Sequence, residues 1–424
     1  MKVLLVGGGG REHALGWKLA QSPRLTALVA APGNPGIARH GRCVPVKDTA
    51  IDDLVALARA EDVNLTVVGP EVPLALGLAD RLRAEGRAVF GPSQAAARIE
   101  SSKAFAKGLM ARHRIPTARF GIFTDEAAAG RHCRELGAPL VVKADGLAAG
   151  KGAIVCRTLE EADRALALCL AEGGFGEAGR TVVVEEFLEG EEASFFALCA
   201  GAAAAPLASA QDHKAVFDDD RGPNTGGMGA YSPAPVMDED AEARVMAEIV
   251  HPILLALREV GAPYHGALFV NLMMTKDGPK VVEFNSRFGD PECQTLLPRL
   301  ADDLLPVLDA VARGGQPPDR LAWRPDTSVC VVMASGGYPG SYVTGRPITG
   351  VEEAGALDGV TVFHGGTARG AAGLVTAGGR VLGVQALGPD VQTAVARAYA
   401  GVRRIGFEGA HARSDIGRRA LGRR

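Results

Sequence analysis

Short apolar runs alternate with amphipathic helical patterns over the first hundred residues of the chain. The runs that predict strands stop at glycine or proline, as buried strands of a parallel sheet do, and lie at 2–6, 28–31, 65–68 and 88–90. Helical periodicity occupies 12–21 and 51–60. This alternation predicts a parallel α/β sheet whose ligands bind at the carboxyl ends of its strands.

From residue 102 onward the pattern changes to strands and helices in mixed order. We predict a helix at 102–113 and strands at 140–143, 153–156 and 181–185. Thr158 and Glu161 have the spacing of a capping box and begin another helix. We expect a small α+β lobe of antiparallel strands with two helices, which forms a lid over about residues 120–190.

The rest of the chain contains one long irregular stretch and a final region of short runs. Residues 211–235 are polar and glycine-rich and predict a loop, and a loop of that length is usually functional. We predict a helix at 242–259, two strands at 268–274 and 280–284 joined by a turn, and a helix at 302–313. From about residue 328, short runs rich in valine, glycine and threonine predict a β-rich region.

A chain of 424 residues is too long for one ordinary hydrophobic core. The pattern therefore predicts a multidomain α/β and α+β protein in three parts. These are an N-terminal parallel-sheet domain at 1–102, a central domain with its lid at 103–325, and a small β-rich C-terminal domain at 326–424.

Composition and charge exclude several classes of partner. Hydrophobic residues make up 47% and the formal net charge is −3, so the chain is globular and has no global basic field for nucleic acid. No apolar run reaches the length of a membrane span, and we expect no signal-peptide cleavage region. The seven cysteines form no C-x-x-C pair, so we expect free thiols in a reducing cytoplasm.

A run of four glycines, Gly7 to Gly10, follows the first predicted strand. The G-x-G-x-x-G spacing of dinucleotide-binding folds fails, because Glu12 and His13 stand where the third glycine is needed. The second strand ends near Asn34 and not near an acidic residue that could bind a ribose hydroxyl. What remains is a glycine-rich turn at a helix N-terminus, which suits a phosphate group, or a tight turn without a ligand.

A glycine-rich segment that carries Lys151 lies between two predicted strands, and Lys143 lies on the strand before it. Glycines let backbone amides turn toward a phosphate chain, and two lysines add positive charge. The segment is not a Walker loop, because no G-x-x-x-x-G-K-[ST] occurs there. A surface hairpin without a ligand is the alternative.

The predicted strand at 280–284 ends in oxygen ligands. Glu283 and Asn285 are spaced i and i+2, so they share one face of the strand. Hard oxygen donors in that arrangement suit Mg²⁺ that bridges nucleotide phosphates. Arg287 follows, where a guanidinium could hold a carboxylate or an acyl phosphate; a solvated strand end with an ion pair is the alternative.

Over about residues 103–325, the order of the candidate residues resembles that of the ATP-grasp superfamily. These residues are Lys103, Lys143 with its glycine segment, residues 185–188, and the pair Glu283 and Asn285. The strings GGGREHA, PGNPG, VGPE, KADGLAAGKG, PNTGGMGAYSP and EFNSRFGDPE together resemble the glycinamide ribonucleotide synthetase family over nearly the entire chain. The resemblance implies a cytoplasmic, monomeric ligase of purine biosynthesis. It would join glycine to 5-phosphoribosylamine through glycyl phosphate, with ATP and Mg²⁺ or Mn²⁺.

The resemblance also implies roles for individual residues. Those expected at ATP are Lys103, Lys143, Gly146, Gly150, Lys151, Gly152, Glu185, Glu186, Phe187, Leu188, Glu191 and Glu192. Those expected at glycine, the acyl phosphate and the phosphoribosyl group are Gly8, Gly9, Gly10, Asn34, Asp212, Lys214, Asn224, Thr225, Gly226 and Arg287. Glu283 and Asn285 are expected to bind the metal, and Lys143 and Arg287 to act in catalysis.

Two positions depart from the family pattern. Ala215 follows Lys214 where the family often has arginine, and Asn271 stands where relatives tend to have glycine. Other ATP-grasp branches place an acidic metal ligand at the position of Asn271, twelve residues before Glu283. The alternatives are another ATP-grasp carboxylate–amine ligase or carboxylase, and a nucleotide-binding regulator without catalysis. The intact set of lysines, metal ligands and Arg287 favours an enzyme.

Overall fold

The N-terminal part of the chain folds around a fully parallel sheet, as predicted. The computed structural model describes residues 1–147, 152–171, 174, 176–371 and 373–422. In spatial order the strands of this N-terminal sheet are Arg42–Cys43, Ala27–Pro32, Lys2–Gly7, Leu65–Val68 and Ala88–Phe90. Its helices are Gly10–Leu19, Ile37–Arg39 (3-10), Ile51–Ala60, Glu71–Ala75, Leu78–Ala84 and Gln94–Ser101.

The apolar strands of the N-terminal sheet follow from burial on both faces. Val3 and Leu5 belong to one hydrophobic core, and Leu4 and Val6, which alternate with them, belong to another. The first core continues into the central part of the molecule, which fixes the N-terminal sheet against it.

The predicted lid is a separate antiparallel lobe. The strands of this lid sheet, in spatial order, are Phe120–Phe123, Val182–Glu186, Leu140–Ala144 and Ala153–Cys156. Its helical segments are Glu126–Leu136, Leu159–Leu166, Ala167–Ala171 (π) and Gly176–Gly179 (3-10). The hydrophobic core beneath its helices consists only of residues of this lobe. A lobe with its own core can move as a unit without exposing the core of the remaining molecule.

A second antiparallel sheet, the central sheet, lies between the lid and the N-terminal domain. Its strands in spatial order are Ala203–Pro206, Glu191–Ala200, His265–Thr275 and Gly278–Asn285. The surrounding helices are Lys103–Arg112, Glu239–Val245, Met246–Val250 (π), His251–Glu259, Glu292–Leu296 and Leu304–Ala312. Alternate residues such as Phe195 and Phe196 enter two different cores, so both faces of the sheet are covered.

The C-terminal sheet corrects the prediction of a long loop at 211–235. Its strands in spatial order are Gln211–Asp212, Gly229–Ser232, Thr327–Ala334, Arg380–Gly388 and Val360–His364. The supposed loop contains two strands of this sheet and a hairpin of Ala215–Phe217 with Arg221–Asn224, whose strands are connected by the 3-10 turn Asp218–Asp220. The polar composition concealed these strands because Gly229–Ser232, on which Gln211–Asp212 pairs, itself pairs with Thr327–Ala334 about a hundred residues later in the chain.

The C-terminal sheet therefore spans the position at which the sequence predicts a boundary, near residue 325. A hairpin of Thr367–Gly370 with Gly373–Thr376 and the helices Val351–Gly355, Val391–Val402 and Arg418–Leu421 complete this part. The helix Val391–Val402 was not predicted, because it packs on the sheet through small residues, Ala394 and Ala398. None of the described helices is long and apolar enough to cross a membrane.

Candidate active site

The lid is tied to the central part of the molecule at the N-terminus of helix Lys103–Arg112. Ser102 caps this helix, and its hydroxyl lies 3.1 Å from a carboxylate oxygen of Asp145. The same carboxylate accepts a hydrogen bond from the backbone of Ala104 at 2.6 Å. The Lys103 ammonium donates to the carbonyl of Gly146 at 3.1 Å. The positive end of the helix dipole and the charge of Lys103 therefore lie together at the base of the lid.

Lys143 points from the lid sheet to the edge of the central sheet. Its ammonium donates to Glu185 Oε2 and to the carbonyl of Val282, each at 3.0 Å. Val282 is the extra residue of a β-bulge, so its carbonyl is free to accept this bond. On the other side, Glu185 Oε1 lies 3.1 Å from the ammonium of Lys107, and burial lowers the pKa of Lys107 to about 8.

The predicted adenine-binding segment, residues 185–188, begins at Glu185 of this buried ion pair. The carboxylate of Glu185 is engaged by two lysines, and that of Glu186 binds Arg119 Nε at 2.6 Å. Phe187 is exposed and Leu188 is half-buried. The exposed ring of Phe187 is available to pack on a base, and adenine binding by this segment stays a prediction. The predicted residues Gly150 and Lys151 lie outside the described residues, while Gly152 directly precedes the lid strand Ala153–Cys156 and its carbonyl accepts a bond from the backbone of Ala144.

Cationic side chains from four parts of the chain converge on Glu283. Burial alone would raise the pKa of Glu283, but the charges of Lys214, Lys143, Lys103 and Arg287 hold it below its ordinary value. These residues come from the lid, from a helix N-terminus, from the stretch after Gln211 and from the strand end that follows Glu283. Positive charge concentrated in this way suits the phosphate chain of a nucleotide.

The predicted metal ligands lie together, and an unsatisfied amide lies beside them. Asn271 pairs directly with Glu283 across the two strands. It is 1% exposed, and neither its amide oxygen nor its amide nitrogen finds a hydrogen-bond partner in the described ranges. The oxygen of Asn285 accepts a bond from Arg287 Nη2 at 3.1 Å. Buried polar groups are normally bonded, so this corner is suited to a ligand or a cation.

The donor set fits magnesium and does not fit a metal held wholly by protein. No group of three or more histidine, cysteine or acidic side chains that could hold a metal occurs among the described residues. Glu283 and Asn285 would supply two oxygen donors, and phosphates and water would supply the others. Mg²⁺ is commonly bound in this way, through one or two protein ligands and substrate phosphates.

Arg287 is held in place by two carboxylates that sequence reasoning did not identify. Its Nη2 lies 2.8 Å from Glu100 Oε1, and its Nε lies 3.3 Å from Glu71 Oε2. Glu100 also accepts bonds from the backbone and the hydroxyl of Ser286, each at 2.7 Å. Burial raises the pKa of Glu100, and Arg287 opposes that rise. A guanidinium with this many partners has one orientation.

Asp212 and Lys214 reach the same region from the start of the C-terminal sheet. The Lys214 ammonium lies 3.1 Å from Glu192 Oε2. This contact connects a residue predicted at glycine, Lys214, with one predicted at ATP, Glu192. Burial raises the pKa of Asp212 to about 7; Lys214 opposes this rise, and Glu292 and Glu192 add to it. An acidic pocket with a nearby ammonium can bind a small zwitterion at both ends.

The N-terminal glycine turn is packed tightly and is held by internal bonds. The Asn34 amide donates to the carbonyls of Gly8 and His364, each at 2.8 Å, and its oxygen accepts from two backbone amides. The backbone of Gly9 donates to Glu12 Oε2 at 2.7 Å. A Cβ on Gly8 would lie 2.5 Å from the backbone oxygen of Gly33, so only glycine fits there. The structure therefore gives Asn34 a bracing role within the turn.

Residues 224–226 connect the C-terminal sheet to this turn. Asn224 is exposed, and the Thr225 hydroxyl donates to the Lys214 carbonyl at 2.8 Å. Arg380 donates to the carbonyl of Gly226 at 2.9 Å and to that of Asp290 at 2.5 Å. Asp290 adjoins the glycine turn, because a Cβ on either Gly9 or Gly10 would lie 3.6 Å from its carboxylate.

Several residues of this region were missed by sequence reasoning. Glu71, Asp290 and Glu292 occur within the strings VGPE and EFNSRFGDPE, so a signal existed although no role was assigned. Glu100 and Arg380 carry no local signal, because their importance depends on partners far away in the chain.

Comparisons with known proteins identify the family of this chain. The phosphoribosylglycinamide synthetase family models match in three parts, with the N domain at residues 1–100, the ATP-grasp (A) domain at 101–293 and the C domain at 328–419. Proteins named phosphoribosylamine–glycine ligase are 54% identical over 423 residues in Rhizobium meliloti and 52% identical over 426 residues in Brucella melitensis. Each alignment covers 100% of this chain and 99% of the relative.

Solved structures are similar over the same length. The crystal structure of phosphoribosylamine–glycine ligase from Thermotoga maritima has a TM-score of 0.85 and 30% identity, and the match covers 98% of this chain and 100% of that one. A biotin carboxylase complex with β,γ-ATP from Campylobacter jejuni has a TM-score of 0.74 at 15% identity, covers 97% of this chain and 92% of that one, and shows likeness of fold alone. From the matching domains and the full-length relatives, the chain belongs to the phosphoribosylglycinamide synthetase family, with an ATP-grasp central domain.

Proposed function

We propose that this chain joins glycine to 5-phosphoribosylamine and converts ATP to ADP and phosphate, which makes glycinamide ribonucleotide for purine biosynthesis. The convergence of Lys103, Lys143, Lys214 and Arg287 on Glu283 is the observation that carries the proposal. It would bring a triphosphate and a carboxylate together, as phosphorylation of a carboxylate requires. The names of the full-length relatives supply the substrate pair.

The first half-reaction activates glycine. A carboxylate oxygen of glycine attacks the γ-phosphorus of ATP, the bond to the bridging oxygen breaks, and ADP and glycyl phosphate form. Phosphoryl transfer demands mainly positioning and charge neutralisation from the protein. Lys143 and Lys103 would neutralise the phosphates, and Arg287, fixed by Glu100 and Glu71, would hold the acyl phosphate.

The second half-reaction forms the amide. The amine nitrogen of phosphoribosylamine attacks the acyl carbon of glycyl phosphate, the acyl carbon–oxygen bond breaks, and phosphate leaves as the nitrogen loses a proton. Neither half-reaction needs a nucleophilic side chain. Water must be excluded, because it would hydrolyse glycyl phosphate, and closure of the lid lobe at residues 120–190 would exclude it.

The individual roles are proposals that rest on this geometry. ATP would contact Lys103, Lys143, Gly146, Gly150, Lys151, Gly152, Glu185, Glu186, Phe187, Leu188, Glu191 and Glu192. Glycine would lie between Arg287 and the pair Asp212 and Lys214, and the phosphoribosyl group near Gly8–Gly10, Asn34 and residues 224–226. Glu283 and Asn285 would hold Mg²⁺ or Mn²⁺, which neutralises phosphate charge when it is bound. We also propose a monomer as the active unit.

The test is an assay of ADP and amide formation in which each substrate is omitted in turn. ADP formation should require glycine, and amide formation should also require freshly generated phosphoribosylamine. Bicarbonate serves as the control for a carboxylase. ATP turnover that is driven by bicarbonate and does not respond to glycine would contradict the assignment.

A further inference from the structure

Residues 411–419, the C-terminal segment, hold the stretch 212–220 through a series of hydrogen bonds. We propose that Arg413, within this segment, is a positioning residue for the glycine subsite, which acts by fixing the backbone that presents Asp212 and Lys214. The inference rests on the proposed function and adds to it a residue that lies in the C domain, outside the ATP-grasp domain. It also predicts that the C-terminal end of the chain controls affinity for the carboxylate substrate and not for ATP.

Arg413 has the contacts expected of a structural anchor. It is 1% exposed, and its Nε and Nη2 each donate to a different carboxylate oxygen of Asp415 at 2.8 Å. Its Nη1 donates to the carbonyl of Ala215 and to Asp220 Oδ1, each at 3.0 Å. A buried guanidinium is costly unless its donors are satisfied, and here two of its partners lie almost two hundred residues away in the chain.

Neighbouring residues extend this attachment along the stretch. The His411 ring nitrogen Nε2 lies 2.8 Å from the Val216 carbonyl, and the Ser414 backbone donates to Asp218 at 2.8 Å. The backbone of Gly417 donates to Nε2 of His213 at 3.2 Å. The path of 212–220 is therefore set by the C-terminal segment at several successive positions.

The stretch presents its two site residues on the opposite side from this attachment. In extended backbone, side chains alternate, so Asp212 and Lys214 share one face and His213 takes the other. His213 faces the C-terminal segment, while the Lys214 ammonium contacts Glu192 and its charge acts on Glu283. A displacement of this backbone would move Asp212 and Lys214 together and leave Lys103 and Lys143 in place.

Burial distinguishes Arg413 from its neighbour Arg418. Arg418 also pairs with the acidic turn, at Asp219, but its side chain is 69% exposed. Exposed ion pairs contribute little to stability, whereas the buried two-pronged contact of Arg413 with Asp415 fixes the orientation of its guanidinium. Arg418 therefore provides a matched control within the same cluster.

The experiment compares steady-state kinetics of Arg413→Lys, Asp220→Asn and Arg418→Ala with the wild type. Arg413→Lys keeps the charge and loses the fork, and Asp220→Asn, at a carboxylate whose side chain is 45% exposed, alters the same contact with little risk to folding. We expect KM for glycine to rise on the order of 10- to 100-fold in Arg413→Lys, which is the effect of a small misplacement, and to a lesser extent in Asp220→Asn. KM for ATP should be unchanged in both, and Arg418→Ala should match the wild type.

Three results would decide against this role of Arg413. These are an unchanged KM for glycine in both variants, an equal rise of KM for glycine and for ATP, and an effect of Arg418→Ala as large as that of Arg413→Lys. If Arg413→Lys does not fold, Asp220→Asn alone decides. A wild-type protein that shows no glycine-dependent turnover would instead contradict the proposed function, so the two failures are distinguishable.

Discussion

At the scale of single residues, Glu283 serves both the proposed metal and the surrounding cations. Glu283→Ala removes one of the two proposed oxygen donors, and it removes the carboxylate that offsets the positive charges of the surrounding lysines. We expect kcat to fall on the order of 10²- to 10³-fold, the range for loss of one electrostatic contact with the reacting group. The fold should persist, because Glu283 lies half-buried at a strand end.

Lys280→Ala provides the control for Glu283→Ala, since Lys280 lies on the same strand and its ammonium is 3.8 Å from Glu186. It should keep turnover close to that of the wild type. Steady-state kinetics and a melting curve are the measurements. Near wild-type turnover of Glu283→Ala with a normal melting curve would place the metal elsewhere.

Asn271 is the second residue whose replacement tests the metal corner. Its position opposite Glu283 and its unbonded amide, within the described residues, indicate that it borders the proposed metal site. We expect Asn271→Gly to keep substantial activity, because an amide oxygen is a weak ligand. Asn271→Asp should shift the dependence of the rate on Mg²⁺ or Mn²⁺ by adding a charge.

Metal titrations of the rate measure both Asn271 variants against the wild type. A loss of activity in Asn271→Gly as large as that of Glu283→Ala would show that Asn271 is a required ligand. An unchanged titration in Asn271→Asp would show that it does not border the metal.

At the scale of elements, the lid lobe is the part whose motion the proposed chemistry requires. The described residues of its hydrophobic core all belong to the lobe itself. Hydrogen bonds of Lys143 and Lys103 connect the lobe to the central part of the molecule near Glu283. We expect Mg-ATP to slow hydrogen exchange in the lid strands Leu140–Ala144 and Ala153–Cys156, because bound phosphates would draw the lobe closed. Strand Lys2–Gly7 of the N-terminal sheet is the internal control and should exchange equally in both states. Equal exchange in the lid with and without Mg-ATP would argue against closure.

At the scale of the whole molecule, buried histidines join the N-terminal and C-terminal parts. The backbone of His364 donates to His13 Nδ1 at 2.7 Å, and its carbonyl accepts from Asn34 at 2.8 Å. Burial, with Arg39 and Arg369, lowers the pKa of His364 to about 4. The pKa of His13 is also lowered well below its ordinary value by burial.

These depressed pKa values predict that acid weakens the folded protein. Between pH 6.5 and about 4 the unfolded chain binds protons that folded His364 does not, so the stabilisation present above pH 6.5 is lost as the pH falls. His364→Gln should reduce this dependence by up to about 1.4 kcal/mol per pH unit. Unfolding midpoints across this range measure it, with His251→Gln, at an exposed helix position, as the control. Identical pH slopes in the wild type and His364→Gln would show that His364 does not contribute.

The sequence by itself determined the elements whose signals are local. Apolar runs and helical periodicity predicted the N-terminal parallel sheet, the lid lobe and the hairpin of the central sheet, and the structure confirms them. Spacing along one strand placed Glu283 and Asn285 on one face. These features were predictable because alternation and chain reversal depend on residues a few positions apart.

Only the tertiary structure decided which distant residues meet. It joined strands at 211–232 to the C-terminal sheet, placed Asp212 and Lys214 beside Glu192, and brought Glu100 to Arg287. Polar residues in a glycine-rich stretch have no periodicity that reveals a pairing partner a hundred or more residues away. The energies of such contacts arise from burial and shared partners, which exist only once the separate parts of the chain have packed together.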